Sequence, residues 1–248
     1  MMNIKSDTEL EYMRSAGKVV ADTLAMIQEV IKPGITTAEI DKLAEEFILA
    51  QGAIPSFKGY GGFPGSICAS VNDVVIHGIP NDTVLVEGDI ISVDCGAILN
   101  GYHGDAARTF PVGSISKEAQ HLIDVTKESF FKGIEKAVVG NRLTDISAAI
   151  QKHAESFGYS VVRDFVGHGI GTDMHEDPQV PNYGTAGKGP KLVHGVVLAI
   201  EPMINMGNYK VKIKPDGWTV VTSDGKLSAH YENTIAITND GVEILTLS

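Results

Sequence analysis

Five side chains of metal-binding type fall in order along the chain: Asp94, Asp105, His168, Glu201 and Glu232. Asp94 closes the apolar run Ile90-Ile91-Ser92-Val93-Asp94. Glu201 closes Val196-Val197-Leu198-Ala199-Ile200-Glu201, and Glu232 opens Glu232-Asn233-Thr234-Ile235-Ala236-Ile237. A carboxylate inside a sheet stays ionised only where a cation or a partner compensates it. Four carboxylates and one imidazole form a donor set for two divalent ions side by side, so a two-metal hydrolase is the leading expectation. Oxygen donors with one nitrogen suit Mn, Fe(II), Co or Zn, with water completing the shell.

Each residue alone has a plainer reading. Asp105, in Gly104-Asp105-Ala106, reads equally as a turn residue. His168, in Gly167-His168-Gly169-Ile170-Gly171, reads as a core histidine, and Glu201 and Glu232 read as strand-end charges. The glycines beside His168 do not make a nucleotide site, because the strand–GxGxxG–helix unit is missing. No H-E-x-x-H, G-x-S-x-G or P-loop lysine competes. His175-Glu176-Asp177 is no chelate by itself, since neighbours on a strand face opposite ways.

The elements that must position these groups are legible in part. Ser6-Asp7-Thr8-Glu9 is a capping-box pattern before apolar spacing at Leu10, Met13, Ala16 and Val20, which predicts a helix to about Ile31. Thr36 starts a second helix, with Ile40, Leu43, Ala44 and Phe47 on one face and Gly52 at its end. Residues 57–66 form a glycine- and aromatic-rich loop. Strands are expected at Ile67–Val71, Val74–His77 and Ile90–Ala97, with turns at Asn72-Asp73 and Asn100-Gly101. A hairpin turning at Asn100-Gly101 would bring Asp94 and Asp105 to one face. Two further helices are expected, one through Leu122, Val125, Phe130, Ile134 and Val138, and one from Leu143 through Ile146, Ile150 and His153 to Gly158.

The second half repeats the first. Gly34, Ile40 and Gly52 match Gly140, Ile146 and Gly158 at an offset of 106, and 87–94 matches 194–201 at 107, which superimposes Asp94 on Glu201. Helix–turn–strand grammar can recur by chance. The alternative is an internally duplicated α/β (α+β) domain with a pseudo-twofold axis and its site between the halves, about 1–115 and 116–248. One catalytic domain over 1–248 is expected, because no linker or low-complexity stretch divides the chain.

The 248 residues, 43% of them hydrophobic, suffice for a substantial core. A formal net charge of −11 argues against nucleic acid and against anionic membrane surfaces as partners. The N-terminus shows no secretory apolar region, and no run approaches the ~18 apolar residues needed to span a bilayer. Two cysteines, Cys68 and Cys95, fit a reducing compartment, although a disulfide between them stays open. A cytoplasmic monomer is expected.

These motifs together resemble the type I methionine aminopeptidases of the short bacterial form, in peptidase family M24, with the pita-bread fold. The resemblance covers nearly the whole chain. It rests on Asn72-Asp73-Val74-Val75-Ile76-His77-Gly78-Ile79-Pro80, Asp94, Gly101-Tyr102-His103-Gly104-Asp105, Gly167–Gly171, His175-Glu176-Asp177-Pro178 and Leu198-Ala199-Ile200-Glu201-Pro202. It implies that Asp94 and Asp105 chelate one metal, with Asp105 reaching both. His168 and Glu201 would hold the other, and Glu232 would bridge. His77 and His175 would be non-ligand active-site histidines, one near the substrate amine and scissile bond, the other near the carbonyl. The methionine pocket would map onto Tyr60, Phe63, Cys68 and Trp218. Asn233, Met174 and Phe63 depart from the family pattern, where histidine, an aromatic residue and tyrosine are common. The departures bear on pocket shape and metal affinity rather than on the ligands.

The implied reaction removes N-terminal methionine from peptides and nascent chains that have a small second residue. A water or hydroxide shared by two ions ~3.5–4 Å apart attacks, and Glu201 shuttles the proton. Transient contact with the ribosome is a further expectation. Two readings compete. An X-Pro peptidase of the same fold usually carries an extra N-terminal domain, for which a helix beginning by residue 6 leaves no room. A non-catalytic peptide-binding protein of this fold typically loses metal ligands, and here all five are present.

Overall fold

The structure, a computed structural model, describes residues 2–247. Helix α1 (Asp7–Val30) opens on the expected capping box. The Ser6 hydroxyl accepts from the Glu9 N–H, and the Glu9 carboxylate accepts from the Ser6 N–H. Leu10, Met13, Ala16 and Val20 are buried as the spacing predicts. Helix α2 (Thr37–Ala50) repeats the device with Thr36 and Glu39. Its buried face is Thr37, Ile40, Ala44 and Ile48, so the expected Leu43 and Phe47 flank the core rather than fill it. The contact follows the i, i+4 ridge, which favours Ile48 over Phe47.

Helix α3 (Lys117–Ile134) is capped by Ser116, and α4 (Leu143–Ser156) follows. Val138, expected on α3, lies past its end and is exposed. Lys136 and Ala137 donate to carbonyls only three residues back, which tightens the chain into a turn.

The first half carries strands β1 (Ile54–Pro55), β2 (Ile67–Val71), β3 (Val74–Ile76), β4 (Ile90–Leu99) and β5 (Tyr102–Pro111). The second carries β6 (Ser160–Val161), β7 (Gly167–Gly169), β8 (Glu176–Val180), β9 (Val197–Ile200) and β10 (Met203–Asn205). Strands β11 (Val211–Ile213), β12 (Val220–Thr222), β13 (Ser228–His230), β14 (Asn233–Thr238) and β15 (Gly241–Ile244) complete it. Strand β4 is flanked by β2 and β5, and β1 also pairs with it. A second sheet runs β15-β14-β9-β7-β8. Smaller sheets run β13-β10-β6 and β11-β12-β3, the last drawing on both halves. The mixed α/β class with antiparallel sheets is as expected.

The internal repeat recurs in the geometry. Helices α2 and α4 are 106 residues apart at both ends. Gly34 and Gly140 both adopt left-handed backbone, with φ 97° and 95°. Their N–H groups donate to Leu85 and Leu192 at 2.8 and 2.9 Å, carbonyls 107 residues apart.

Alternation then decides what each strand offers. On β4, Ile91, Val93, Cys95 and Ala97 enter the core beneath α1 and α2, so Asp94 points to the opposite face. The halves meet where β5 runs beside β14. Thr234 Oγ1 accepts from Asp105 N–H at 3.0 Å and donates to Asp105 C=O at 2.9 Å. Glu232 N–H donates to Ala107 C=O at 3.0 Å.

Candidate metal centre and active-site cavity

Asp94 pairs with Ala107 and Gly96 pairs with Asp105 across the β4–β5 hairpin. The two acids therefore share one face, two residues out of step. Asn100 and Gly101 close the turn with φ 54° and 80°, as a two-residue turn of this hand requires.

His168 enters from β7. A Cβ on Gly167 would stand 2.3 Å from the Ala199 carbonyl oxygen, and one on Gly169 2.3 Å from that of Asp177, so close strand packing demands both glycines. His168 Nδ1 donates to Gly169 C=O at 2.8 Å. That bond leaves the Nε2 lone pair free. Nε2 lies 3.7 Å from Asp105 Oδ2 and 3.7 Å from Glu201 Oε1. These separations are too long for hydrogen bonds and suit donors about 2.1 Å from a common ion.

Asp105, His168 and Glu232 place one donor atom each within 4.8 Å of one another. Glu201 and Glu232 face each other one step beyond the last paired residues of β9 and β14, Ile200 and Asn233. The Glu232 main chain is clamped from behind. Arg108 donates to its carbonyl and, through Nη2 at 2.6 Å, to Asn233 Oδ1, and the guanidinium lies 4.4 Å from the Tyr231 ring centre. Thr246 Oγ1 donates to the same Asn233 oxygen.

Electrostatics mark the cluster as incomplete without a cation. Burial pushes Asp94 up to about 7 against hydrogen bonds from Asp105 and the Cys95 N–H. Burial also raises Asp105 well above the carboxylate range, helped by the charges of Glu232 and Asp94. Glu201 rises through burial and the charges of Asp94 and Asp105, and Glu232 through burial, Glu201 and Asp94. Burial, and then His175, lowers His168 to about 4, which favours the neutral, ligating form. Asp94 Oδ1, Asp105 Oδ1 and Glu232 Oε1 are buried without hydrogen-bond partners. The residues present fit a divalent metal, which would satisfy these orphaned oxygens.

A cavity of about 130 Å³ opens over the acids. It brings together Tyr60, Phe63, Cys68, His77, His175 and Trp218 with all five candidate ligands. His175 packs against His168 with its ring tilted by 47°, ring centres 4.2 Å apart, and its Nδ1 is hydrogen-bonded to the Tyr60 hydroxyl at 2.8 Å. The next residue, Glu176, accepts from Lys5, Asn3 and the Asp173 N–H, which ties down the loop carrying His175.

His77 lies outside the strand expected to contain it, since β3 stops at Ile76. Its φ of 56° is uncommon for a side-chain-bearing residue and turns the ring toward the edges of Phe165 and Trp218. Burial and then His175 lower it to about 4.

Phe57, Phe63, Cys68 and Met174 form one buried cluster, with Ile79 and Trp218 against it. Phe57 and Ile79 were not anticipated, though Phe57 opens the aromatic loop. Met174, noted as a departure, is part of this wall. Cys68 faces the cavity while Cys95 faces the helix core, so both thiols are free. His230 was also missed, although its position two residues before Glu232 on an extended segment signals a shared face.

This arrangement of fold and acids defines a metallopeptidase, and the comparisons agree. The model of metallopeptidase family M24 matches residues 11–239. A methionine aminopeptidase of Clostridium acetobutylicum is 70% identical over 100% of this chain and 99% of its own. The crystal structure of methionine aminopeptidase from Rickettsia prowazekii superposes with a TM-score of 0.98 at 47% identity, covering 100% of both chains. Prolidase from Pyrococcus furiosus shares the pita-bread fold alone, with a TM-score of 0.80 at 23% identity over 99% of this chain and 65% of that one. The chain belongs to metallopeptidase family M24 and, within it, to the methionine aminopeptidases, which are metal-using hydrolases. Among the described residues no helix is long and apolar enough to cross a membrane.

Proposed function

We propose that the chain removes the N-terminal methionine of peptides and nascent chains, preferring a small second residue, with two divalent ions in one active site. The observation that carries this reading is the apolar, sulfur-compatible wall of Phe57, Phe63, Cys68, Met174 and Trp218 set directly against the buried acid cluster. Asp94, Asp105, His168, Glu201 and Glu232 would hold the ions. When bound, the ions supply an acidified water and Lewis-acid polarisation of the scissile carbonyl.

This chain's own groups do the rest. The Glu201 carboxylate takes the water's proton and delivers it to the leaving amine. The substrate's free α-amine sits beside Asp94, which confines cleavage to the first residue. His175, with Nδ1 engaged by Tyr60, offers Nε2–H to the substrate carbonyl oxygen as charge develops there. His77 stands near the amine and scissile bond. The two halves act as a single catalytic domain, and two free, buried thiols suit a cytoplasmic protein.

The test strips the metal, restores Mn, Fe(II), Co or Zn separately, and offers Met-Ala-Ser and Met-Lys-Ser. Metal-dependent release of methionine from the first peptide is expected, with little from the second. Equal release from both would overturn the small-residue preference. No release with any metal from a folded protein would overturn the catalytic reading.

A further inference from the structure

His230 ends β13 beside the acid cluster and has no part in the roles given above. It is 1% exposed, and neither ring nitrogen has a hydrogen-bond partner. Nε2 stands 3.9 Å from Glu201 Oε2 and 3.9 Å from Glu232 Oε2. The main chain here is pinned to β5. Thr109 Oγ1 accepts from His230 N–H at 2.9 Å and donates to its carbonyl at 2.9 Å. Glu201 and Glu232 line the cavity, whereas His230 does not, so the ring reaches them from the side away from substrate.

An imidazole carries at least one N–H in every protonation state, and a buried N–H without an acceptor is costly. These two oxygens lie about 0.7 Å beyond hydrogen-bond range, a gap that small side-chain rotations close. The remaining oxygens point elsewhere. Glu201 Oε1 faces His168 Nε2 at 3.7 Å, and Glu232 Oε1 is buried without a partner. Each glutamate thus presents Oε2 to His230 and keeps Oε1 out of its reach.

We propose that His230 is a positioning residue of the metal centre, its Nε2–H shared between Oε2 of Glu201 and Oε2 of Glu232. It fixes both carboxylates so that their other oxygens meet the metal. This rests on the reading of the cluster as a divalent-metal site. A donor behind a ligating carboxylate acts on affinity and orientation without touching substrate.

The test titrates metal-free wild type, H230Q and H230L with Mn(II), read as free Mn(II) by electron paramagnetic resonance, and with Co(II), read by its visible absorption. Glutamine places an N–H where Nε2 stands, and leucine keeps bulk alone. H230Q should bind within about threefold of wild type, and H230L ~10–100-fold more weakly, with an altered Co(II) spectrum. H230L binding like wild type, or H230Q binding as weakly as H230L, overturns the proposal.

If H230L does not fold, the imidazole N–H signal of His230 in the metal-loaded wild type decides, assigned by its loss in H230Q. Protection from solvent exchange supports the proposal and free exchange overturns it. A folded wild type that takes up neither metal overturns the metal-centre reading itself, a failure distinct from the others.

Discussion

At the scale of single residues, the buried acids govern how the protein responds to pH without metal. Asp94 is held up to about 7 in the fold by burial, against an ordinary value of 3.8. The folded chain keeps a proton that the unfolded chain has given up, so this group's contribution is full below the unfolded value and lost as pH rises through 7. Asp105, Glu201 and Glu232, raised well above the carboxylate range, act in the same direction. His77, His168 and His230, lowered to about 4, 4 and 3, act oppositely, gaining stability as pH rises until the unfolded imidazoles, of ordinary value about 6.5, are neutral as well, roughly a unit above it. Above about pH 7.5 the acids alone count. The melting temperature of the metal-free protein should fall above that pH, and added Mn(II) should raise it more at pH 8 than at pH 6.5. A flat metal-free profile would show that the acids are not strained. Glu201→Gln separates chemistry from this strain. It removes one buried acid, so the metal-free variant should melt no lower than wild type, while turnover falls by roughly 10²–10⁴-fold as for a lost general base. Retention of most activity would sink the shuttle role.

At the scale of elements, the hairpin carrying Asp94 and Asp105 depends on how closely α1 approaches it. A Cβ on Gly104 of β5 would lie 2.9 Å from the Gly17 nitrogen, and a Cβ on Gly17 would lie 2.2 Å from the Leu245 carbonyl oxygen. Helix propensity alone makes Gly17→Ala stabilising by about 1 kcal/mol. The clash is with backbone, which cannot swing away, so overpacking should prevail and the variant should lose about 1–3 kcal/mol. Chemical denaturation of wild type and G17A reads the sign directly, and a stabilised variant would refute the packing argument. The strain should reach the centre, because Thr246, next to Leu245, helps hold the Asn233–Arg108 clamp on Glu232. The hairpin, the caps of α1 and α2 and the repeat were legible because Asn-Gly, Ser/Thr-x-x-Glu and left-handed glycines act over a few residues. Leu43 and Phe47 were misplaced because a 3.6-residue period does not say which adjacent ridge meets the core. His77 falls outside β3 because its left-handed turn comes from tertiary packing, which the residue pattern does not carry. His230 passed unnoticed because its meaning depends on Glu201, which is distant in sequence.

At the scale of the molecule, the candidate ligands are divided between halves that could not build the centre separately. Asp94 and Asp105 come from the first half, and His168, Glu201 and Glu232 from the second. The halves are also interlocked by packing. Leu10 and Met13 of α1 sit in one cluster with Ile170, Val197, Ala236 and Leu245, so the first helix helps close the second half's core. The β5–β14 contact adds main-chain hydrogen bonds beside Asp105 and Glu232. Breaking either half therefore exposes core of the other and parts the acids. Unfolding should be a single cooperative transition despite the repeat, the calorimetric and van't Hoff enthalpies agreeing. A divalent metal held by both halves binds only the assembled state, so it should move that whole transition upward by mass action, about 2.7 kcal/mol at a hundredfold excess over the dissociation constant. Calorimetry with and without Mn(II) is the measurement. Two resolved transitions, with only one responding to metal, would mean that the halves fold independently and that the ligands belong to one of them.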